Sequence, residues 1–189
     1  MTVRPILSIG DPGLRVRAGE VSRRDISLPA IQDLIDDLID TMRHANGSGI
    51  AATQIGEPVR VMVMEVDDNP RYPYKPPIPL TVAINPEYDV LDDRTVIINE
   101  GCLSVPLRGD LERHVNLGVR YTDRHGTDHE RVLRGLTAGT WQHECDHLNG
   151  VLVVDRIDPK TLSTWEEFDR HHREPFVERI TRFVAEVGS

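Results

Sequence analysis

The sequence lacks the features that place a protein outside the cell, in a membrane or on nucleic acid. Its 189 residues include two cysteines, Cys102 and Cys145, and no apolar run reaches the ~18 residues of a membrane-spanning helix. Residues 1–15 hold no apolar stretch long enough for a secretory signal, so we expect a cytoplasmic protein with cysteine thiols. There are 22 basic against 31 acidic residues and no basic run, which argues against DNA or an anionic membrane as partner.

The remaining composition is that of an ordinary globular protein, with 39% hydrophobic and 28% charged residues. At roughly 100–200 residues per domain, the length predicts one domain. No repeat or shift in composition marks a second domain. We therefore expect a single domain over residues 1–189, with a helical tail at about 160–189.

Hydrophobic periodicity predicts several helices and strands. Helices are expected at 28–44, 136–147, 164–172 and 176–187, the first ended by Asn46 and Gly47 and the last two separated by Pro175. Strands are expected at 59–66, 81–86, 94–99, 115–121, 129–134 and 151–155. Because strands and helices do not alternate regularly, the predicted fold class is α+β.

A proline-rich segment interrupts this pattern. Five of the thirteen prolines fall within residues 70–79, interleaved with two tyrosines, so regular structure is excluded there. A plain surface loop is the favoured interpretation, and a loop flanking the mouth of an active site is the alternative.

The clearest chemical signal is the run His143-Glu144-Cys145-Asp146-His147 inside a predicted helix. Residues four apart share a helix face, so His143 and His147 can bind one metal ion, with Glu144 beside it as general base. Cys145 points away from that face and is expected in the core. Two solvated histidines on a helix are the alternative.

A hydrolytic metal site needs a third protein ligand and an open position. The residues alone leave two sources for that ligand. Glu166 or Glu167 would serve as the downstream carboxylate of a metallopeptidase, and Cys102, directly after the predicted strand at 94–99, would supply a thiolate. A purely structural ion in a binding module is a third interpretation, which needs a closed four-ligand site.

Three segments resemble the motifs of peptide deformylases, in the right order and roughly the right spacing. They are GSGIAATQIG at 47–56, EGCLS at 100–104 and QHECDHLNG at 142–150. The resemblance implies removal of the formyl group from N-formylmethionyl nascent peptides. We accordingly expect small mixed or antiparallel sheets packed around a central metal-binding helix, with helices near both termini.

The same resemblance implies roles for individual residues. Cys102, His143 and His147 would bind the metal, which is Fe²⁺, with Zn²⁺, Ni²⁺ or Co²⁺ as substitutes. Glu144 would act first as base and then as acid. The side-chain amide of Gln54 and the backbone N–H of Leu103 would stabilise the negative oxygen of the intermediate.

The residues expected around the substrate are Gly47, Gly49, Ile50, Ile98, Glu100, Gly101, Leu136, Gly139 and Thr140. Leu136, Gly139 and Thr140 share the helix face of His143 and should line the pocket for the first side chain. Family members often place bulkier residues near Gly139 and Thr140, so we expect a roomier or slightly more polar pocket; close helix packing on Gly139 is the alternative. Glu100 is expected to anchor the ligand loop through an arginine.

The expected partner is an N-formylmethionyl peptide. Arginines within residues 170–182 could form a basic patch that touches the ribosome transiently. The sequence leaves open whether the chain is a monomer or a homodimer.

Overall fold

The computed structural model describes residues 2–67, 69 and 71–188, and over these it contains two β-sheets and four α-helices. The helices are α1 (Pro29–His44), α2 (Gly135–Leu148), α3 (Trp165–His171) and α4 (Arg173–Val187). The strands are β1 (Gly49–Ala51), β2 (Val61–Val66), β3 (Ile78–Val90), β4 (Thr95–Cys102), β5 (Val105–His114), β6 (Asn116–Thr122), β7 (Asp128–Arg134) and β8 (Ser163–Thr164). None of the described helices is long and apolar enough to span a bilayer.

The two sheets are antiparallel throughout. One has the order β1-β2-β3-β6-β7 and the other β4-β5-β8. Helix α2 contacts strands of both sheets, while α1 covers the larger sheet and α3 and α4 close the chain. This arrangement confirms the predicted α+β fold built around a central helix.

Helix α2 is the core of the molecule, because nearly all of its residues are buried. Trp141, Cys145 and Leu148 pack against apolar side chains from β2, β3 and β6. Cys145 is 2% exposed in this cluster, and burial raises the pKa of its thiol to about 12. Its expected place in the core is confirmed.

Helix α1 has the amphipathic pattern that the sequence predicts. Leu34, Ile35 and Leu38 are buried against the opposite face of the larger sheet, in a second apolar cluster. The helix ends where Asn46 adopts a positive φ of 51°. Ile50 also belongs to this cluster and is 0% exposed.

The strand predicted at 151–155 is wrong. Val153–Asp155 form a single 3₁₀ turn in which the Asp155 carboxylate accepts a hydrogen bond from the backbone N–H of Leu152. The apolar run reflects burial instead, because Val153 packs with Val105 and Leu111 of β5.

Strand β5 is the longest element that the sequence pattern misses. Arg108 and Arg113, at interior positions of the strand, are each 3% exposed. In a pattern of apolar and polar residues, an arginine is taken as solvent-exposed. The two buried arginines therefore hide the alternation that would have predicted this strand. The charge of Arg113 is balanced by Glu100 and Asp146, whereas Arg108 donates to the neutral Asn99. Asp146, which is distant in sequence, is brought near only by folding.

The C-terminal helices follow the prediction except at the break between them. The chain turns at His172, and Pro175 lies in the first turn of α4, where a missing N–H leaves no helical hydrogen bond unmade. Phe168, Phe176 and Ile180 then pack against Ile98 of β4 and Leu136 of α2. The tail therefore supports the two elements that carry the predicted metal ligands.

Gly150, which follows α2, lies against the backbone of Arg15, and a substitution can test this contact. It has φ +73°, and a Cβ built on it would lie 2.6 Å from the Arg15 carbonyl oxygen. Gly126 has φ +82° with open space around it. We expect Gly126→Ala to lose about 1–2 kcal/mol from the left-handed backbone alone, and Gly150→Ala to lose clearly more. Urea unfolding of both variants measures the difference, and equal losses would contradict the proposed contact.

Candidate metal centre

The predicted metal ligands meet at the junction of the two elements that carry them. Cys102 is the last residue of β4, and a register shift between Gly101 and Cys102 begins the turn into β5. His143 and His147 lie one turn apart on α2. One ligand atom from each of the three residues lies within 4.8 Å of the other two, and Cys102 Sγ is 3.2 Å from His147 Nε2.

Electrostatics favour the thiolate form of Cys102. Burial alone would raise the pKa of the thiol, but His147 and His143 lower it well below its usual value. The backbone N–H of Ser104 also donates to Sγ, over 3.4 Å. A thiolate with two imidazoles is a donor set for a divalent transition metal.

Glu166 and Glu167 do not share this site. Both lie in the first turn of α3, where each forms an ion pair with Arg170 at the surface. The structure brings Cys102 to the histidine pair instead. This placement removes the basis for the metallopeptidase interpretation.

A chain of buried charges holds the ligands in place. His143 Nδ1 lies 2.9 Å from Glu100 Oε2, which leaves Nε2 free to face a metal. Arg113 donates to both oxygens of Glu100 and to Asp146 Oδ2. Burial alone would raise the pKa of Glu100, but the charge of Arg113 holds it well below its ordinary value. The arginine expected to anchor Glu100 is thus Arg113, and Arg156 adds two further hydrogen bonds to Asp146.

Glu144 lies beside the ligands with one oxygen free. Its Oε2 is buried and has no hydrogen-bond partner among the described residues. Burial raises the pKa of this carboxyl group. Any side chain at Gly49 would collide with the Glu144 carboxylate, so the close approach of β1 requires glycine there.

The Gln54 amide is held with its NH₂ group towards the cysteine. Its Oε1 accepts a hydrogen bond from the backbone N–H of Ala51, over 2.9 Å. Its Nε2 therefore faces Ser104 Oγ at 3.1 Å and Cys102 Sγ at 3.7 Å. A buried amide in this orientation can donate to a ligand beside the metal site.

One cavity collects most of the residues predicted to contact substrate. Those that line it are Gly47, Gly49, Gln54, Ile98, Glu100, Gly101, Cys102, Leu103, Leu136, Gly139, Thr140, His143 and Glu144. Ile50 is the exception, because its side chain points to the opposite face of β1 and packs in the cluster with α1. Its prediction as a substrate-binding side chain is corrected accordingly.

Two glycines of the cavity are in contact with neighbouring side chains. The Trp165 ring lies directly against Gly101, so a side chain there would displace α3. A Cβ on Gly139 would lie 3.1 Å from Ile98 Cδ1. Close packing on Gly139 is therefore observed, and because Gly139 also lines the cavity, a roomier or slightly more polar pocket stays a prediction.

Sequence reasoning missed several lining residues from the proline-rich segment. Tyr72, Tyr74 and Lys75 line the cavity, which supports the alternative interpretation of a loop at the site's mouth. The interleaved tyrosines were the available signal, since a plain surface loop has no need of aromatic residues. Pro70, the first residue of the segment, lies outside the described residues.

Three further lining residues also went unpredicted, namely Ser48, Asn99 and Arg108. Arg108 donates to the side chain and the backbone of Asn99 and stacks over Trp165 and Phe168. These contacts hold the part of the cavity wall formed by Asn99 and Arg108 against α3.

Cys102, His143 and His147 could hold one metal ion, and an unpartnered carboxylate lies beside them in a cavity, an arrangement that fits a metal-dependent hydrolase. The sequence model of the family described as polypeptide deformylase matches residues 3–163. The chain belongs to this family.

Relatives and solved structures agree with that assignment. The peptide deformylase of Leptospira biflexa serovar Patoc is 42% identical over 169 residues, which cover 88% of this chain and 94% of the relative. A class I type b peptide deformylase from Acinetobacter baumannii, solved with the ligand K4U, has a TM-score of 0.80 at 38% identity and covers 84% of this chain and 100% of its own. The same enzyme bound to Met-Ala-Ser has a TM-score of 0.78 at 38% identity, covering 82% and 99%.

The Arg113 network predicts a large cost for breaking it. Arg113→Met leaves Glu100 and Asp146 buried without their shared cation, which should destabilise the fold by about 3–5 kcal/mol. Arg120→Met, which removes an exposed arginine paired with Glu87 and Asp89, is the matched control and should change stability little. Denaturant unfolding compares the two, and similar midpoints would contradict the role given to Arg113.

Proposed function

We propose that Cys102, His143 and His147 hold a divalent metal ion with which this chain hydrolyses the formamide bond of N-formylmethionyl peptides and releases formate. The chain is a hydrolase of the deformylase family, and it removes the N-terminal formyl group from nascent peptides. The observation that carries the residue assignment is the convergence of three ligand atoms beside the free oxygen of Glu144.

The donor set fits a metal. A thiolate and two neutral imidazoles accept Fe²⁺, Zn²⁺, Ni²⁺ and Co²⁺, and we propose Fe²⁺ from the family resemblance. When bound, the ion would polarise the formyl carbonyl and lower the pKa of water. The reducing interior of a cell would protect Cys102 from oxidation, which agrees with the proposed cytoplasmic location.

Glu144 is proposed to carry the proton. Its unpartnered Oε2 can take a proton from the attacking water, and the raised pKa of the buried carboxyl group favours holding it. The same oxygen can then give the proton to the departing amine. One carboxylate can serve both steps because it lines the cavity and contacts β1, the strand along which the peptide is proposed to bind.

Gln54 and Leu103 are proposed to stabilise the negative oxygen that forms when the formyl carbon is attacked. The hydrogen bond of Gln54 Oε1 to Ala51 holds the NH₂ group towards Cys102, so the NH₂ group can donate to that oxygen in exchange for its long contact with Sγ. Leu103 directly follows Cys102 and lines the cavity, and both features support this role for its backbone N–H.

The peptide is proposed to bind along β1. This strand is the edge of the five-stranded sheet, and Gly47 and Gly49 leave its backbone accessible from the cavity. An extended peptide can pair with such an edge. The first side chain would then enter between Ile98 and Leu136, beside Gly139.

Ribosome contact and oligomeric state stay predictions. The arginines proposed as a basic patch are largely neutralised, since Arg170 pairs with Glu166 and Glu167, and Arg182 pairs with Glu178. Any contact with the ribosome through this surface would therefore be weak and transient.

Removal of one cysteine should abolish metal binding, and removal of the other should not. Cys102→Ser replaces the thiolate with a weaker ligand, so bound metal should fall from about one equivalent to a small fraction. Cys145→Ala is the matched control, because its side chain packs in the core away from the site. Metal analysis of anaerobically purified protein makes the comparison. Full metal content in Cys102→Ser would contradict the proposed ligand set.

Replacing Glu144 should abolish turnover without metal loss. Glu144→Gln keeps the shape of the side chain but cannot accept a proton, so kcat for a formyl-Met peptide should fall by about 10²–10⁴-fold. Formate release measures the rate, and metal analysis of the same sample shows that the ligands are intact. Wild-type turnover in Glu144→Gln would exclude it as the base.

A further inference from the structure

Ser104 is buried behind the candidate metal centre and meets the Gln54 side chain there. It is the second residue after Cys102 and is 2% exposed, while Gln54 is 1% exposed. Gln54 Nε2 donates to Ser104 Oγ over 3.1 Å. Ser104 is neither one of the three candidate ligands nor a residue that lines the cavity. Any part it has in the reaction is therefore exerted through the side chains that it contacts.

The N-terminal segment joins the two turns that carry this pair. The Leu7 N–H donates to the Gln54 carbonyl oxygen over 2.8 Å, and the Ile9 N–H donates to the Ser104 carbonyl oxygen over 2.7 Å. Gln54 belongs to the 3₁₀ turn that follows β1, whereas Ser104 lies in the turn between β4 and β5. One short segment thus holds both backbones, so the contact between the two side chains is built into the fold.

The NH₂ group of Gln54 has two acceptors within reach. Ser104 Oγ, at 3.1 Å, is at an ordinary hydrogen-bond distance, whereas Cys102 Sγ, at 3.7 Å, is a long contact. The bond from the Ala51 N–H to Gln54 Oε1 fixes only the oxygen end of the amide. The Ser104 hydroxyl therefore fixes the nitrogen end and keeps it from moving closer to the sulfur.

The backbone of Ser104 contacts the sulfur independently of its side chain. Its N–H donates to Cys102 Sγ over 3.4 Å. Ser104→Ala keeps this backbone donor and removes only the hydroxyl that Gln54 Nε2 contacts. The substitution therefore separates the effect of Ser104 on the amide from its effect on the thiolate.

The hydroxyl affects which acceptor the amide uses. A glutamine amide has two N–H hydrogens, and the Ser104 oxygen takes one of them. The other stays available for the oxygen that becomes negative when the formyl carbon is attacked. Without the hydroxyl, the NH₂ group can shorten its contact with the thiolate, because hydrogen bonds to ionised groups are stronger than those to neutral ones. It would then have to leave the sulfur in every turnover, and this reorganisation adds to the barrier.

We propose that Ser104 is a positioning residue whose hydroxyl holds the nitrogen end of the Gln54 amide off Cys102 Sγ, so that one N–H stays available to the negative oxygen. The proposal rests on the hydrolysis proposed above and deepens the role given there to Gln54. It assigns Ser104 no direct contact with the substrate.

A double-mutant cycle tests this coupling through formate release from formyl-Met-Ala-Ser by metal-loaded protein. Ser104→Ala should lower kcat by about tenfold, the effect of one ordinary hydrogen bond, with KM and bound metal unchanged. Gln54→Leu fills a similar volume without a donor. Adding Ser104→Ala to Gln54→Leu should change kcat by less than about twofold, because a residue that acts only through Gln54 has no effect in its absence.

Ser163→Ala is the matched control for loss of a buried hydroxyl. Ser163 Oγ has no hydrogen-bond partner among the described residues, and Ser163 lies in β8 and does not line the cavity. Its kcat should equal that of the wild type. An equal loss from Ser104→Ala with and without Gln54 would make Ser104 merely structural and overturn the proposal, as would wild-type kcat in Ser104→Ala.

A spectroscopic measurement separates this proposal from the activity on which it rests. The sequence has three glutamines, so protein labelled with ¹⁵N at the glutamine side chains has three such NH₂ groups. In Zn²⁺-loaded protein, Ser104→Ala should shift the NMR signals of the Gln54 NH₂ group. Those of Gln32 and Gln142, which donate to backbone carbonyl groups elsewhere, should stay in place.

This shift supports the positioning of Gln54 even if the wild type releases no formate, a result that would overturn the proposed hydrolysis alone. Unchanged Gln54 signals in Ser104→Ala would overturn the role of Ser104, whatever the rate of deformylation.

Discussion

The site depends on one buried arginine. Arg113 is 3% exposed on its side chain, and it joins Glu100 of β4 to Asp146 of α2. Cys102 ends that strand, while His143 and His147 lie on that helix. Charges buried at this depth are stable only when they are paired. The ion pairs therefore fix the distance between the two elements that carry the ligands, and Glu100 also orients His143.

Much of the site could be predicted from the sequence, because its chemistry is local. Helical spacing alone puts His143 and His147 on one face and turns Cys145 into the core. The third ligand could not be chosen in this way. Cys102 and Glu166 were both available at long range, and only the β4–β5 turn brings one of them to the histidines.

The parts that sequence reasoning missed have a common physical cause. Strand β5 carries Arg108 and Arg113 at buried positions, where local patterns predict solvent. Ile50 lies in a conspicuous motif, yet its side chain faces α1 because alternate residues of β1 point to opposite faces. Apolar residues at 151–155 are buried without forming a strand. For β5 and for residues 151–155, the partner across space, not the neighbour in sequence, decides the outcome.

The central claim is that this chain hydrolyses formamides at the Cys102, His143 and His147 site. Its most direct test is formate release from formyl-Met-Ala-Ser by protein purified without oxygen and loaded with Fe²⁺ or Ni²⁺, alongside acetyl-Met-Ala-Ser. We predict formate from the formyl peptide, little acetate from the acetyl peptide and loss of both metal and activity in Cys102→Ser. No formate release by the metal-loaded protein would contradict the account.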